Sequence, residues 1–320
     1  MMIGFLIAIA AGCASALMFA SISSGALISL LLFYLAPLPL MLAAIGWGPA
    51  GAAIGGVLAG GALGLIFSLP YLVAFLLAVA LPAWWLGRLV LLERPIPAPA
   101  STDPGDSAEA VEWYPVGRLL LWIAGFATLT TVSALLTLGT DGETIIAGLR
   151  HGLGRIMQMP SASSDSTQII DALATIAPAA AAIIAMMTLT LNVWIAAYVT
   201  SASGRLRRPW PVLRDVNMPP MTLVALFVVL ALCFTGGLLA LLAQIVTAAL
   251  MLGYALTGFA VLHTITLGIK SRGVVLSFAY ALVLVFGWPV IAMIGLGITD
   301  AFFGIRQRYL QRKPPPPSST

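Results

Sequence analysis

Apolar residues along this chain run in long unbroken stretches, with polar residues gathered between them. The stretches cover about 3–20, 26–45, 50–68, 70–92, 118–140, 174–200, 221–237 and 240–268. A run of about 18 or more apolar residues is the pattern of a helix solvated by lipid, whereas barrel strands alternate polar and apolar over about ten positions. The pattern therefore predicts an all-α, polytopic transmembrane bundle. A last stretch, 274–304, is too long for one ordinary span of about 20 residues. Gly287-Trp288-Pro289 interrupts it near the middle, which predicts one broken helix or a hairpin of two short ones, nine or ten hydrophobic segments in all.

Composition agrees with that reading. The 320 residues are 61% hydrophobic and only 8% charged, with mean hydropathy +1.06. Soluble domains carry roughly a quarter charged residues. So few charges cannot cover a water-facing surface, so lipid must solvate most of the chain, and only helices or closed barrels satisfy their backbone there. Cys13 and Cys233 match no metal or redox spacing.

The basic residues set the expected topology. With a cytoplasmic N-terminus and 274–304 as a hairpin, thirteen of the fifteen Lys and Arg fall on the cytoplasmic side, leaving Arg150 and Arg155 outside. A single span there would split them nine to six. The positive-inside rule favours the hairpin and both termini in the cytoplasm. One membrane domain, 1–304, is expected, followed by a basic, Pro-rich tail, 305–320. Residues 93–117, rich in Pro, Ser and acid, read as a disordered cytoplasmic linker. The segment 143–158 reads as an amphipathic helix on the outer surface. Ile145, Leu149, Leu153 and Ile156 share one face, while Arg150, His151, Arg155 and Gln158 fall away from it. It is either a plain connector or a lid whose Arg150 and His151 sit near an anionic ligand.

Polar and small residues inside the spans supply the candidate sites. Asn192 and Thr188 share a face with Ala181 and Ala185. Gln244, Thr247, Met251, Tyr254 and Gly258 share a face of a later helix. Asn192, Gln244 and Tyr254 are therefore ligand-contact candidates, and an Asn192–Gln244 hydrogen bond is the simpler alternative. His263 reads as a snorkelling or hydrogen-bonded structural residue. Asp300, just before Arg306, Arg308, Arg312 and Lys313, is expected to pair with a cytoplasmic arginine or to cap a helix end. Arg306 belongs to the same inner-face polar group, and Arg88 is a candidate partner by depth. Ala8, Gly12, Ala16 and Ala20 recur every four residues, as do Gly51 with Gly55 and Gly56, Gly60 and Gly64. Such faces let helices approach closely, either within the chain or against a partner membrane protein.

Several functions are disfavoured. The chain has no G-x-x-x-x-G-K-[ST], no H-E-x-x-H and no G-x-S-x-G. No carboxylate lies near the middle of a span, which gives no proton relay. The two histidines fall on opposite sides of the expected membrane. No enzymatic activity, cofactor, metal site or nucleic-acid partner is expected.

The closing "GLGITDAFFGIRQR", the linker end "EWYPVGRLLLW" and the amphipathic helix between the fifth and sixth spans resemble the family catalogued as domain of unknown function 2232, bacterial multi-pass membrane proteins. That family is distantly similar to the S components of energy-coupling-factor transporters. Those bind a vitamin or metal ion in a helical bundle and dock a coupling subunit, served by two ATPases, through a small-residue ridge on the first helix. The resemblance implies that Ala8, Gly12, Ala16 and Ala20 form such a ridge, although S components usually have six spans. The expected function is therefore S-component-like binding of a small ligand from outside, beneath the 143–158 helix. The partners would be membrane lipids, a coupling subunit and ATPases. The alternative is a non-transporting scaffold or assembly factor for envelope proteins, acting through the basic 201–220 loop.

Overall fold

The structure, a computed structural model, describes residues 2–96, 110–157 and 164–311. The fold is all-α. In chain order the helices are α1 (Met2–Ala20), α2 (Leu27–Leu35), α3 (Pro37–Trp47), α4 (Pro49–Ile66), α5 (Leu69–Phe75), α6 (Leu81–Val90), α7 (Val116–Leu136), α8 (Gly142–Met157), α9 (Ser164–Ala202), α10 (Met221–Leu232), α11 (Gly237–Ile265), α12 (Arg272–Phe286), α13 (Val290–Phe303) and α14 (Ile305–Gln311). Among the described residues seven helical stretches are long and apolar enough to cross a membrane, and the bent pair α13–α14 would be an eighth if taken as one span. The seven run from Met2–Ser24 through Leu27–Trp47, Pro49–Ile66, Leu69–Val90, Val116–Leu136 and Thr167–Ala202 to Gly237–Gly268.

Prolines and glycines punctuate these stretches. Pro37 and Pro49 open α3 and α4, where a missing N–H costs nothing. Between α5 and α6 the chain widens into a π turn, Leu76–Ala80, with the Leu81 amide reaching back to Leu76 O. Pro82 follows at once, so the turn takes up the hydrogen bond that proline cannot make.

Glycines also set how closely helices meet. A Cβ on Gly12 would collide with the Gly55 carbonyl, and one on Gly55 with the Ala8 carbonyl, so α1 and α4 touch backbone to backbone. The Ala8–Gly12 ridge thus meets the chain's own α4, and Ala16 and Ala20 pack half-buried against the main core. On the other ridge of α4, Gly56 receives Ala80, Gly60 receives Leu76 and Gly64 receives Leu72. A second close seam joins α11 and α13, where Gly258 meets the Met293 carbonyl and Gly297 the Tyr254 carbonyl. In lipid such contact replaces hydrophobic drive as the source of helix association.

Two expectations need correction, the span at 221–237 and the structureless linker. The stretch 221–237 yields only the 12-residue α10, cut short between Pro219-Pro220 and the positive-φ pair Gly236 and Gly237. The stretch 274–304 breaks at the expected place into two helices, α12 of 15 residues and α13 of 14, parted at Gly287 with φ +72°. At about 1.5 Å per residue, each of the three falls short of a hydrocarbon core about 30 Å thick. The linker is not structureless at its ends, because β1 (Glu93–Ile96) and β2 (Ala110–Trp113) pair antiparallel with Arg94 opposite Glu112. The expected disorder of 97–109 falls outside the described residues. The tail begins as α14, bent 67° from α13, and its Pro-rich end lies outside the described residues.

Helix α8 does lie across one end of the bundle. Ile145 is buried, with Ile146 and Leu149 beside it, in a small core with Leu135, Ala182, Leu241 and Ile245. Ile156 overruns that core and is exposed.

Candidate functional site

An opening of the bundle lies at the end opposite α8. It is a cavity of about 480 Å³ between the first two turns of α7, the later turns of α9 and α11, one face of α12 and the loop after α9. The walls are chiefly aliphatic, among them Val116, Ile123, Val193, Leu256 and Leu284. The polar groups that reach it are Thr190, Arg208, Trp210, His263 and Tyr280.

Each polar group is placed by its local structure. The Thr190 hydroxyl donates to Met186 O within α9, at 2.8 Å. His263 Nε2 and the Tyr280 hydroxyl lie 2.9 Å apart, and the Tyr280 ring stacks on Phe259 at 4.9 Å. Arg272 at the start of α12 donates to His263 O, which ties α12 to the end of α11. Trp194 stacks on Tyr198, whose ring meets Trp210 edge-on, so the loop is pinned to α9 by aromatic contact. Arg208 follows that path inward and is half-buried. Burial pulls its guanidinium below the ordinary arginine pKa.

Beside the cavity lies a polar knot. Asp300 and Arg306 are both buried and form an ion pair at 2.7 Å. Asp300 also accepts the Arg306 amide at 2.9 Å, capping the first turn of α14. Arg306 donates further to Val216 O at 2.8 Å and to Asn217 Oδ1. The knot thus joins the chain's end to the loop before α10, and a Cβ on Gly117 would strike the Asn217 carbonyl of the same loop. Asp300 therefore both pairs with an arginine and caps a helix, but its partner is Arg306. The expected candidate Arg88 instead lies over the Trp85 ring at 5.9 Å.

The ligand-contact candidates read from the sequence do not converge, and none lines the cavity. Asn192 is fully buried and donates to Tyr34 O at 2.9 Å and to Thr188 O at 2.8 Å. No Asn192–Gln244 bond forms; Asn192 instead ties α9 to the end of α2, and Gln244 is half-buried on α11. Tyr254 is satisfied by Thr222, hydroxyl to hydroxyl at 2.9 Å. The polar face of α11 is covered by the chain itself, since Thr247 meets Cys233 of the α10 end and Gly258 meets α13. Arg150 pairs with Asp171 of α9 at 2.7 Å, each about half-exposed, and His151 is exposed. The expected cavity beneath α8 is thus replaced by the small core there. Sequence reading passed over Arg208, Trp210 and Tyr280. The signal was present in "RLRRPWPVLR", residues 205–214, where a tryptophan between prolines interrupts a basic run.

The chain is an all-helical bundle with the build of a multi-pass membrane protein. No family model, no curated protein and no solved structure matches it, so the resemblance to domain of unknown function 2232 and to S components rests on the sequence motifs alone.

Proposed function

We propose that this chain is a multi-pass membrane protein that binds a small, largely apolar molecule in the cavity between α7, α9, α11 and α12. The observation that carries the reading is the cavity itself. The bundle closes its α1–α4 and α11–α13 seams to backbone contact, yet leaves about 480 Å³ open here. That volume is within the range of about 300–1,000 Å³ common to small-molecule sites.

The chain has no nucleotide-hydrolysing motif, so energy for moving a ligand would come from partner subunits, as in the S-component-like role. The cavity is built from helix ends that the positive-inside rule assigns to the cytoplasmic face of a bacterial inner membrane. A scaffold role would draw on the basic 201–220 loop as a free docking surface. Leu206, Arg208, Trp210, Leu213 and Val216 of that loop turn into the cavity, which favours a ligand.

The test is native mass spectrometry of the detergent-extracted protein. Wild type is expected to carry a retained small molecule, and the cavity-filling pair Ala197→Phe with Ala260→Phe to lose it at unchanged melting temperature. Equal retention by both proteins would overturn the reading.

A further inference from the structure

The arginines of the loop after α9 have different fates. Arg205 lies over the Trp47 ring at 4.5 Å, and Arg207 is exposed. Of these three, it is Arg208 that lines the cavity. Among the described residues it makes no hydrogen bond and no ion pair. A guanidinium keeps its proton in proteins even where burial lowers its pKa. A fixed positive charge therefore sits half-buried at an apolar cavity, without a counter-charge among the described residues. Such a charge is costly unless paired, and charges in membrane proteins ordinarily find a partner.

The rest of the cavity points the same way. No carboxylate is among its described lining residues, and its other polar groups, Thr190, Trp210, His263 and Tyr280, carry no fixed charge. Thr190 has spent its hydroxyl proton within its own helix. Trp194 and Trp210, each about half-exposed, stand at the cavity with the amphipathic rings that favour the lipid head-group depth. An open volume of about 480 Å³ suits one hydrocarbon chain better than two.

We propose that the cavity takes a single-chain anionic amphiphile, its tail among the aliphatic walls and its phosphate or carboxylate on the Arg208 guanidinium. This rests on the reading of the cavity as a ligand site. An anion here would gain a charge-assisted, bidentate contact that a neutral head group cannot make.

The experiment compares oleate, oleoyl lysophosphatidate and monoolein on the full-length protein in non-ionic detergent, by calorimetry or native mass spectrometry. The three share a chain and differ in head group. Wild type is expected to bind at least one anion about tenfold or more tighter than monoolein, equivalent to about 1.4 kcal/mol. Which of the two anions binds tighter identifies the head group as phosphate or carboxylate. Arg208→Gln should bring the anion down to the monoolein level and leave monoolein unchanged, while Arg208→Lys keeps part of the preference. Raising salt should shrink the wild-type preference, a readout that needs no variant. An anion preference that survives Arg208→Gln, or none in wild type, overturns the inference. If the Ala197→Phe, Ala260→Phe pair still abolishes monoolein binding in that case, the cavity stands as a site and only the anion assignment fails. Binding of all three probes unaffected by the filled cavity overturns both.

Discussion

Two arginines on either side of Val216 meet opposite fates. Arg306 is buried and fully engaged, with Asp300, Asn217 and the Val216 carbonyl around it. Arg208 is half-buried at the cavity that the Val216 side chain lines, and the described residues offer it nothing. A charge whose partners come from its own chain holds the fold together, and its neighbours are chosen by folding. A charge left at an apolar opening is, on the proposal above, matched by a ligand rather than by the fold. The difference is one of supply, since residue type, region and expected side of the membrane are the same.

The largest expected effect separates the two directly. Arg306→Ala leaves the Asp300 carboxylate buried and alone, which should cost about 3–5 kcal/mol of stability, read as a fall in melting temperature in detergent. Replacing both partners, Asp300→Leu with Arg306→Met, should cost less than the single change, because no unpaired charge remains. Arg208→Gln removes a half-buried charge that the described residues leave unpaired, so it should not lower the melting temperature of the ligand-free protein. A melting loss at Arg208 equal to that at Arg306 would erase the distinction.

Next comes the seam beside the knot. Gly297→Leu should cost about 1–3 kcal/mol by forcing α13 off the Tyr254 carbonyl. Gly295→Ala, with nothing within 4 Å of its Cβ position, should be close to neutral. Thermal shift of the two variants side by side tests whether α13 is held by backbone contact. Smaller still is Tyr280→Phe, which removes the partner of His263 Nε2 and should cost about 1 kcal/mol. Its clearest sign would be faster hydrogen exchange in α12, whose tie to α11 runs through Tyr280 and Arg272.

The smallest effect lies at the far end, away from both arginines. Asp141 accepts the Thr144 amide at 2.9 Å and its hydroxyl at 2.8 Å, and these bonds hold its carboxyl below the ordinary value of 3.8. A lowered folded-state pKa means that the cap is fully present above the unfolded value and is lost as pH falls through the folded one. Acidification from pH 5 toward about 3 should therefore loosen the first turn of α8, seen as local exchange. Asp141→Asn should remove most of that pH dependence while keeping an acceptor for the Thr144 amide.

The sequence reading and the structure agree where the argument is about solvent. Residues 50–66 form a helix because nothing in that run tolerates water, and that holds whatever lies beside it. The α8 face through Ile145 and Leu149 was legible for the same reason, since its period alone separates the packed side from the wet one. Agreement fails at neighbours. Thr188 lies on the Asn192 face, and both were read, but no local pattern says that the amide reaches Tyr34 rather than Gln244. Asp300 was recognised as needing a partner. The chain bends at Gly304, and that bend brings Arg306 back onto it instead of leaving the arginine in a solvated tail.

The sequence by itself determined that the chain is a bundle of helices, several of them long and apolar enough to cross a membrane, because hydropathy acts through the medium and needs no contact map. Only the tertiary structure decided which ridge meets which helix, which arginine is paired, and where the bundle stays open. Those depend on how closely backbones approach at a few glycines, on the bends at Gly287 and Gly304, and on which side chains the packing leaves over.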